Sequence, residues 1–447
     1  VTRGSATAVE SVHVTDDAYD ELFAESSRRA RERAERRRRR KLGMRRRLTS
    51  ALDGSLQELR HLLEAPGGRL LVGAVGAIAV ATVVGLVALW PGAVDHGKAA
   101  RATPTVAAHV TRVTEARCTS PTPQQCRTLQ IRVGTRKASL ALGPTLSAPA
   151  VSAGETIRVT PVTLPKGETL PRTADPYSFV DVDRHGSLLL MGLLVALAAG
   201  LLLRRRGLLA VLGVALSLLV VLDFLVPAIL AGRPGLLVAL VSALAVMFIT
   251  LVLTNGIGVQ TLAAALGITT TLLLSCGLAV AGLSLAHLDG KTDELTLALG
   301  YQNASLSLQG VVLAGMLIGA LGVLADTAVT QASAVMALRR ANPALPARAL
   351  YREGFTVGRD HLSATIHTLV LAYTGAALPL LLVMRQSQLG LADALNAQTI
   401  AEPIVATVVG CAALIAAVPL TTGLASAFAV RIPAGSLPQG SGHGHAH

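Results

Sequence analysis

A helix crosses the hydrocarbon of a bilayer with about 20 consecutive apolar residues. Eight runs of this chain meet that length, at about 70–90, 187–203, 208–230, 235–254, 261–284, 308–325, 362–384 and 403–430. No other feature narrows the fold as far, because backbone polar groups at that depth must be satisfied within the helix itself. Composition agrees. The chain is 51% hydrophobic and 15% charged, against about 25% charged for an average soluble domain. A cytosolic enzyme, a disordered chain and a small disulfide scaffold are excluded. The first apolar run begins near residue 70, so no cleavable leader is expected. The expectation is a mainly α-helical polytopic membrane protein of about eight spans. The third run carries Asp223 and Pro227 and is expected to kink.

Orientation follows from where Lys and Arg flank the spans. A basic run precedes span 1, Arg204, Arg205 and Arg206 separate spans 2 and 3, and Arg339, Arg340, Arg348, Arg352 and Arg359 separate spans 6 and 7. The opposite short loops hold one basic residue each, Arg233, Lys291 and Arg385. This bias puts both termini in the cytoplasm of a bacterial cell and the segment 91–186 outside. The expected organisation is a basic arm over 1–69, helical in part or disordered, then span 1 over 70–90 and an outer β domain over 91–186. A seven-helix membrane domain follows over 187–430, with a cytoplasmic amphipathic segment at 326–360, and a His-rich tail closes the chain at 431–447.

The outer segment changes character. Apolar and polar residues alternate over Val106–Val113, Leu129–Val133, Ala138–Leu142 and Thr156–Thr163, between clusters of Pro, Gly, Ser and Thr. Four or five short strands suit a small barrel, and an OB-like one is expected. Cys118 and Cys126 flank a polar loop on the oxidising side, which suits a disulfide closing a hairpin. A redox or metal-binding pair is the alternative, although the spacing is not CxxC.

The arm holds thirteen Lys or Arg and two Glu between residues 28 and 47, most of the formal charge of +13. Arg36, Arg37, Arg38, Arg39, Arg40, Lys41, Arg45, Arg46 and Arg47 are expected to meet anionic lipid headgroups, at roughly 1 kcal/mol each. No aromatic residue is interleaved to stack on bases, so nucleic acid is not an expected partner. His443, His445 and His447 alternate at the other end and give weak metal-binding capacity. Gly290-Lys291-Thr292 lacks the leading glycine of a phosphate loop. Asp289, Asp293 and Glu294 make that loop acidic, either as a solvated loop or as a rim that collects cations.

Spans 6 and 7 hold the chemistry. Span 6 carries Gly315 and Gly319 at small-xxx-small spacing, then ends at Asp326. The helix continues past it, with Asp326, Thr330 and Ser333 on one face and Gln331 beside them. Span 7 carries Asp360, Ser363, His367 and Thr374, which fall within about 60° of one another at 100° per residue. Ionisable groups at membrane depth usually face a cavity or a partner. A carboxylate, hydroxyl and imidazole series suits proton relay, since histidine titrates near neutral pH. Asp326, Thr330, Gln331, Arg359, Asp360, Ser363, His367 and Thr374 are therefore the expected ion path. The structural alternative pairs Asp326 with Arg359 at the water interface and leaves the hydroxyls bonded to their own helices.

The stretch Gly319-Ala-Leu-Gly-Val-Leu-Ala-Asp-Thr-Ala-Val-Thr-Gln-Ala-Ser-Ala, with Gly358-Arg-Asp-His and Thr368-Leu-Val-Leu-Ala-Tyr-Thr-Gly-Ala-Ala-Leu-Pro-Leu-Leu, resembles the YibE/F-like bacterial membrane proteins. Tyr177-Ser-Phe-Val-Asp and Asn255-Gly-Ile-Gly-Val-Gln-Thr add to the resemblance, which extends over about 70–430. That family commonly has an Asp pair after span 6, where Ala325-Asp326 supplies one carboxylate. The order of elements is also similar, more loosely, to the proton-coupled half of SecDF and RND-type exporters, whose acidic residue carries coupling protons.

The expected function is a secondary transporter, or a device driven by the proton-motive force. A membrane scaffold or envelope-assembly factor acting through the β domain is the alternative, and a metal-ion exporter a second. No enzyme chemistry and no cofactor are expected. Lipid is the expected partner, and the glycine-rich faces suit a homo-oligomer as well as internal packing.

Overall fold

The computed structural model describes residues 62–64, 66–92, 105–117, 125–144, 149–162, 175–291, 306–386 and 390–432. The arginine-rich arm from Arg36 to Arg47, Cys118, Asp293, Glu294 and the histidines His443, His445 and His447 lie outside the described residues. Among the described residues eight helices are long and apolar enough to cross a membrane. They are α1 Pro66–Ala88, α2 His185–Leu202, α3 Arg205–Leu230, α4 Gly235–Asn255, α5 Val259–Leu285, α6 Leu308–Ala341, α7 Ala347–Gln386 and α8 Gln398–Ala429. The protein is a multi-pass membrane protein. Its described residues form two compact units, one from Val1–Trp90 with Gly232–His447 and one from Pro91–Ala231.

In the first unit α6 and α8 lie at the centre, α5 packs on both from one side and α7 on both from the other. α4 packs on α5 and α6, and α1 on α4 and α5. α6 has 34 residues and α7 has 40. At 1.5 Å per residue they are about 51 and 60 Å long, well beyond a hydrocarbon core of about 30 Å. The excess is their shared end, the amphipathic segment expected at 326–360. Pro343 and Pro346 stop both helices there. Asn342 Oδ1 accepts from the Ala344 amide at 3.1 Å, and Arg339 Nη1 donates to the Leu345 carbonyl at 3.0 Å.

Close backbone approach sets the packing. At Gly235 of α4 a Cβ would lie 2.6 Å from the Gly310 carbonyl oxygen of α6, so no other residue fits that crossing. Gly315 and Gly322 have nothing within 4 Å of a Cβ, whereas Gly319 meets the Tyr373 hydroxyl of α7. Of the expected glycine face only Gly319 is a packing point.

The second unit holds a five-stranded antiparallel sheet and the pair α2 and α3. The strands are β1 Val106–Arg117, β2 Gln125–Val133, β3 Arg136–Pro144, β4 Thr156–Pro161 and β5 Tyr177–Val182, in the order β3-β2-β1-β4-β5. The four expected strands are present, β1, β2 and β3 longer than their alternation showed. Residues Tyr177 to Val182 form a fifth. Gly134, at φ +59°, makes the two-residue β2–β3 turn. Ala108, Val110, Leu129, Ile131, Leu140, Ile157 and Val159 fill the core. Asp175, just before β5, accepts from Ser139 Oγ at 3.1 Å and from the Ala141 amide at 2.8 Å. It thereby ties the β5 edge to the β3 edge and curls the sheet. Cys126 is disulfide-bonded, while Cys276 and Cys411 are free thiols. α3 widens into a π turn at Val221–Leu225, just before Pro227. Proline donates no backbone hydrogen bond, and the slip to wider bonding absorbs that gap at the expected kink.

The crossing at Gly235 generates a stability prediction. Gly235→Val should destabilise the full chain by roughly 1–3 kcal/mol, the usual cost of forcing volume into a packed contact. Gly315→Ala should melt like the wild type. Thermal unfolding of the two variants in one detergent checks this, and equal melting points would refute the packing argument.

Candidate functional site

Along α6 and α8, which run side by side, three layers follow in the same order. Nearest the α6–α7 turn is a polar layer. Thr327 and Gln331 of α6 lie one turn apart, and Thr421, Thr422 and Ser426 of α8 are buried at the matching level. All five are at most 2% exposed. Thr422 Oγ1 donates to Gln331 Oε1 at 2.9 Å. Gly358 of α7 covers the Gln331 amide so closely that a Cβ would lie 2.5 Å from Nε2, and Gly267 of α5 sits equally close to Thr421 Oγ1. Gln331 Nε2, Thr327 Oγ1, Thr421 Oγ1 and Ser426 Oγ have no hydrogen-bond partner among the described residues. Each such group costs about 1–3 kcal/mol when enclosed. Four of them in two turns is an expensive arrangement for packing alone.

Next comes a seal of small side chains. Ala320 and Leu324 of α6 meet Ala413 and Ala417 of α8. Beyond it, towards the Leu308 end of α6, lies a cavity of about 520 Å³ between α6, α7 and α8. Its walls include Val312, Met316, Ala377 and Pro403, and Glu402 and Tyr373 are its ionisable residues. A second cavity of about 310 Å³ shares Tyr373, Ala377 and Pro403, so the Tyr373 ring stands between the two.

Next to Gly290, which lines the cavity, a carboxylate ties the segment after α5 to the start of α8. Gln398 Nε2 at the start of α8 donates to Asp289 Oδ1 at 2.7 Å, and the Lys291 amide donates to the same oxygen at 3.1 Å. Lys291 Nζ lies 3.0 Å from Oδ2. These bonds, the Gln398 one foremost, hold the Asp289 carboxyl at about 2, below its ordinary 3.8. Gln398 and Glu402 are four residues apart and share a face of α8.

The residues expected on an ion path are distributed unevenly. Gln331 is enclosed in the polar layer and Thr330 is half-buried. Ser333 accepts a hydrogen bond from Gln260 of α5. Asp326, Arg359, Asp360, Ser363, His367 and Thr374 are exposed on this unit. Among the described residues no ion pair joins Asp326 to Arg359. His367 Nδ1 lies 2.6 Å from the Ser363 carbonyl, and Thr374 Oγ1 donates to the Val370 carbonyl at 2.8 Å. Helix geometry explains the placement. α7 packs through Leu350, Gly354, Gly358 and Leu369. At 100° per residue the stripe of Asp360, Ser363, His367 and Thr374 lies roughly opposite that face. The stripe's coherence was readable in sequence, but not which face α7 turns to its neighbours.

Sequence reasoning passed over Glu402, which directly precedes the expected start of span 8, and the hydroxyls of Thr421, Thr422 and Ser426. Their signal was weak, since Ser and Thr in an apolar helix usually bond their own backbone. Among the described residues no group of three or more His, Cys, Asp or Glu is placed to hold a metal ion.

A family model described as YibE/F-like protein matches residues 190–431. That stretch begins within α2 and includes α3 to α8. The likeness is shorter than the expected 70–430, and α1 and the sheet fall outside it. No curated protein and no solved structure matches the chain.

The clasp has a pH dependence of definite sign. The Asp289 carboxyl is depressed in the folded state, so its stabilising contribution is complete above about pH 4 and is lost as pH falls from 3.8 towards 2. Gln398→Ala removes the largest cause, so the variant should lose less stability over this window and finish losing it at higher pH. Acid unfolding of both proteins reads this, and superimposable curves would show that the clasp contributes nothing.

Proposed function

The chain belongs to the YibE/F-like family, and from that membership together with the layering of its bundle we propose that it is an ion-coupled secondary transporter. The observation that carries the reading is the order of cavity, seal and enclosed polar layer along α6 and α8. A solute entering the cavity meets a wall of alanine and leucine. A small sliding of α6 against α8 opens that wall. Pro419 of α8, beside the seal, leaves one carbonyl without its helical donor and is a natural place for such a bend. Behind the seal, Gln331 and the hydroxyls of Thr327, Thr421 and Ser426 replace the hydration of a polar solute or ion. Thr330 borders that layer. Asp326, Arg359, Asp360 and His367 are exposed and stand outside this enclosed layer.

In this reading the α6–α7 turn is cytoplasmic, as are both termini, and the sheet is outside, in the plasma membrane of a bacterium. The arginines gathered at the α6–α7 end support it. So does the disulfide at Cys126, since disulfides persist in oxidising compartments. Cys118 is its partner in this proposal. The strand order, with the two edges joined through Asp175, supports an OB-like domain. A scaffold acting through that domain is the competing reading, favoured by the sheet's having a core of its own.

Two measurements separate these readings. Full-length protein in liposomes should give a transient current after a pH jump, and Gln331→Leu should lose it while melting near the wild-type temperature. A folded Gln331→Leu protein with an undiminished current would sink the proposed path. For orientation, a membrane-impermeant maleimide applied to intact cells should label Cys118 and Cys126 only after reduction. Absence of labelling after reduction would place the sheet on the other side.

A further inference from the structure

We propose that the end of the β sheet nearest α2 docks on the bilayer that α2 enters, through Arg132, Arg136 and Lys137, and that its partner there is the headgroup of an anionic phospholipid. This docking is independent of the transport path. The chain leaves no slack between sheet and membrane. Asp183, the residue after β5, donates its amide to the Thr156 carbonyl of β4 at 2.9 Å. Its Oδ1 accepts from the His185 amide at 3.1 Å, where α2 begins. α2 has 18 residues, so it is about 27 Å long, no more than a hydrocarbon core of about 30 Å. His185 therefore lies at the hydrocarbon boundary, and Asp183, two residues before it, stands about 7 Å further out. Headgroups occupy roughly that depth on each side of a bilayer.

The register of the sheet carries the same level across to its far strands. Thr156 pairs with His109 of β1, His109 with Arg132 of β2, and Arg132 with Lys137 of β3. From Asp183 to Lys137 the row crosses four strand spacings, about 19 Å. Arg136 pairs with Val133 and closes the turn beside the row. Arg132, Arg136 and Lys137 are exposed. Strands β2 and β3 and the turn between them contain no Asp or Glu. Among the described residues no carboxylate pairs with any of the three.

The carboxylates at this end of the sheet stand at β4 and β5, and each is engaged. Asp183 holds His185 at 2.7 Å, Asp181 holds Arg184 at 2.8 Å, and Glu155 Oε2 accepts from the Ser152 amide at 3.0 Å. What remains on β2 and β3 is three long side chains of one sign at headgroup depth. Arg and Lys extend their stems to set the charge among polar groups, and a guanidinium meets phosphate oxygens with two parallel N–H bonds. Each basic residue at that depth strengthens attraction to an anionic surface roughly fivefold. A zwitterionic headgroup also offers a phosphate, but it carries its own cation beside it. The row therefore favours a headgroup with net negative charge.

The test puts the photoactivatable benzoylphenylalanine in place of Thr135, which is exposed at the β2–β3 turn. The full-length protein is reconstituted in phosphatidylcholine liposomes that hold a trace of alkyne-tagged phosphatidylglycerol, or the same trace of alkyne-tagged phosphatidylcholine, and is then illuminated. Phosphatidylglycerol should be captured at least tenfold more than phosphatidylcholine. Arg132→Gln, Arg136→Gln and Lys137→Gln together should make the two captures equal at an unchanged melting temperature. With the three basic residues intact, strong salt should lower the preference severalfold, because exposed charges are screened. Equal capture of the two lipids by the chain that keeps these residues, or capture of neither, overturns the docking. A preference that survives in the folded triple variant, or that salt leaves unchanged, overturns it too. If inorganic phosphate too dilute to screen charge abolishes the capture of phosphatidylglycerol, the row takes a free phosphate and the lipid assignment falls.

Discussion

Helices in hydrocarbon gain little by hiding leucine from lipid, so their association depends on how closely their backbones approach. The crossing of α4 and α6 at Gly235 and Gly310 expresses that constraint directly. With α4 fixed to α6 there, α5 and α8 fall into place along α6, and α7 closes on α6 and α8 through Gly354 and Gly358. The cavity is the residue of the same geometry. Where α6 carries Gly315 without an opposing backbone, space remains, and where it carries Ala320 opposite Ala413 and Ala417, the space is gone.

Polarity then follows packing rather than directing it. Gln331 is enclosed because Gly358 admits α7 to within contact of its amide. The hydroxyls of α8 are enclosed because α5, α6 and α7 surround that turn. In a soluble protein such a cluster would be paired or wet. At the end of a membrane bundle, unpaired donors and acceptors behind an apolar wall are a preformed substitute for water. This is the physical content of the transport reading, and it places the selective chemistry on α6 and α8, with α7 as the cover.

Much of this was legible in the residues. Eight apolar runs matched the eight membrane-length helices among the described residues, and their edges moved by a few residues except at the start of α7, where charge hid the helix ahead of Leu362. Alternation marked four strands. The fifth, from Tyr177 to Val182, was noticed only as a motif, because Asp and Ser interrupt its apolar residues. Gln331 was on the expected path, while Asp360 and His367 lie on the face of α7 that its neighbours leave bare. Periodicity shows that residues share a face, but it does not show which of two faces a helix buries when small residues decide the contact. Glu402 was missed for a related reason. A single carboxylate at the edge of an apolar run reads as the beginning of water, and only the surrounding helices turn it into the wall of a cavity.

The contact of α1 with α4 and α5 bears on how the protein is made. α1 ends at Ala88 and α4 begins at Gly235, so α1 finds these neighbours only after roughly 150 further residues have been made. At about 5–20 residues per second that interval is on the order of 10–30 s. During it the sheet, which has its own core, has time to fold by itself, and α1 waits in lipid with an apolar surface that needs no protein partner. Biogenesis therefore imposes an order in which α1, made early, is the keystone set late.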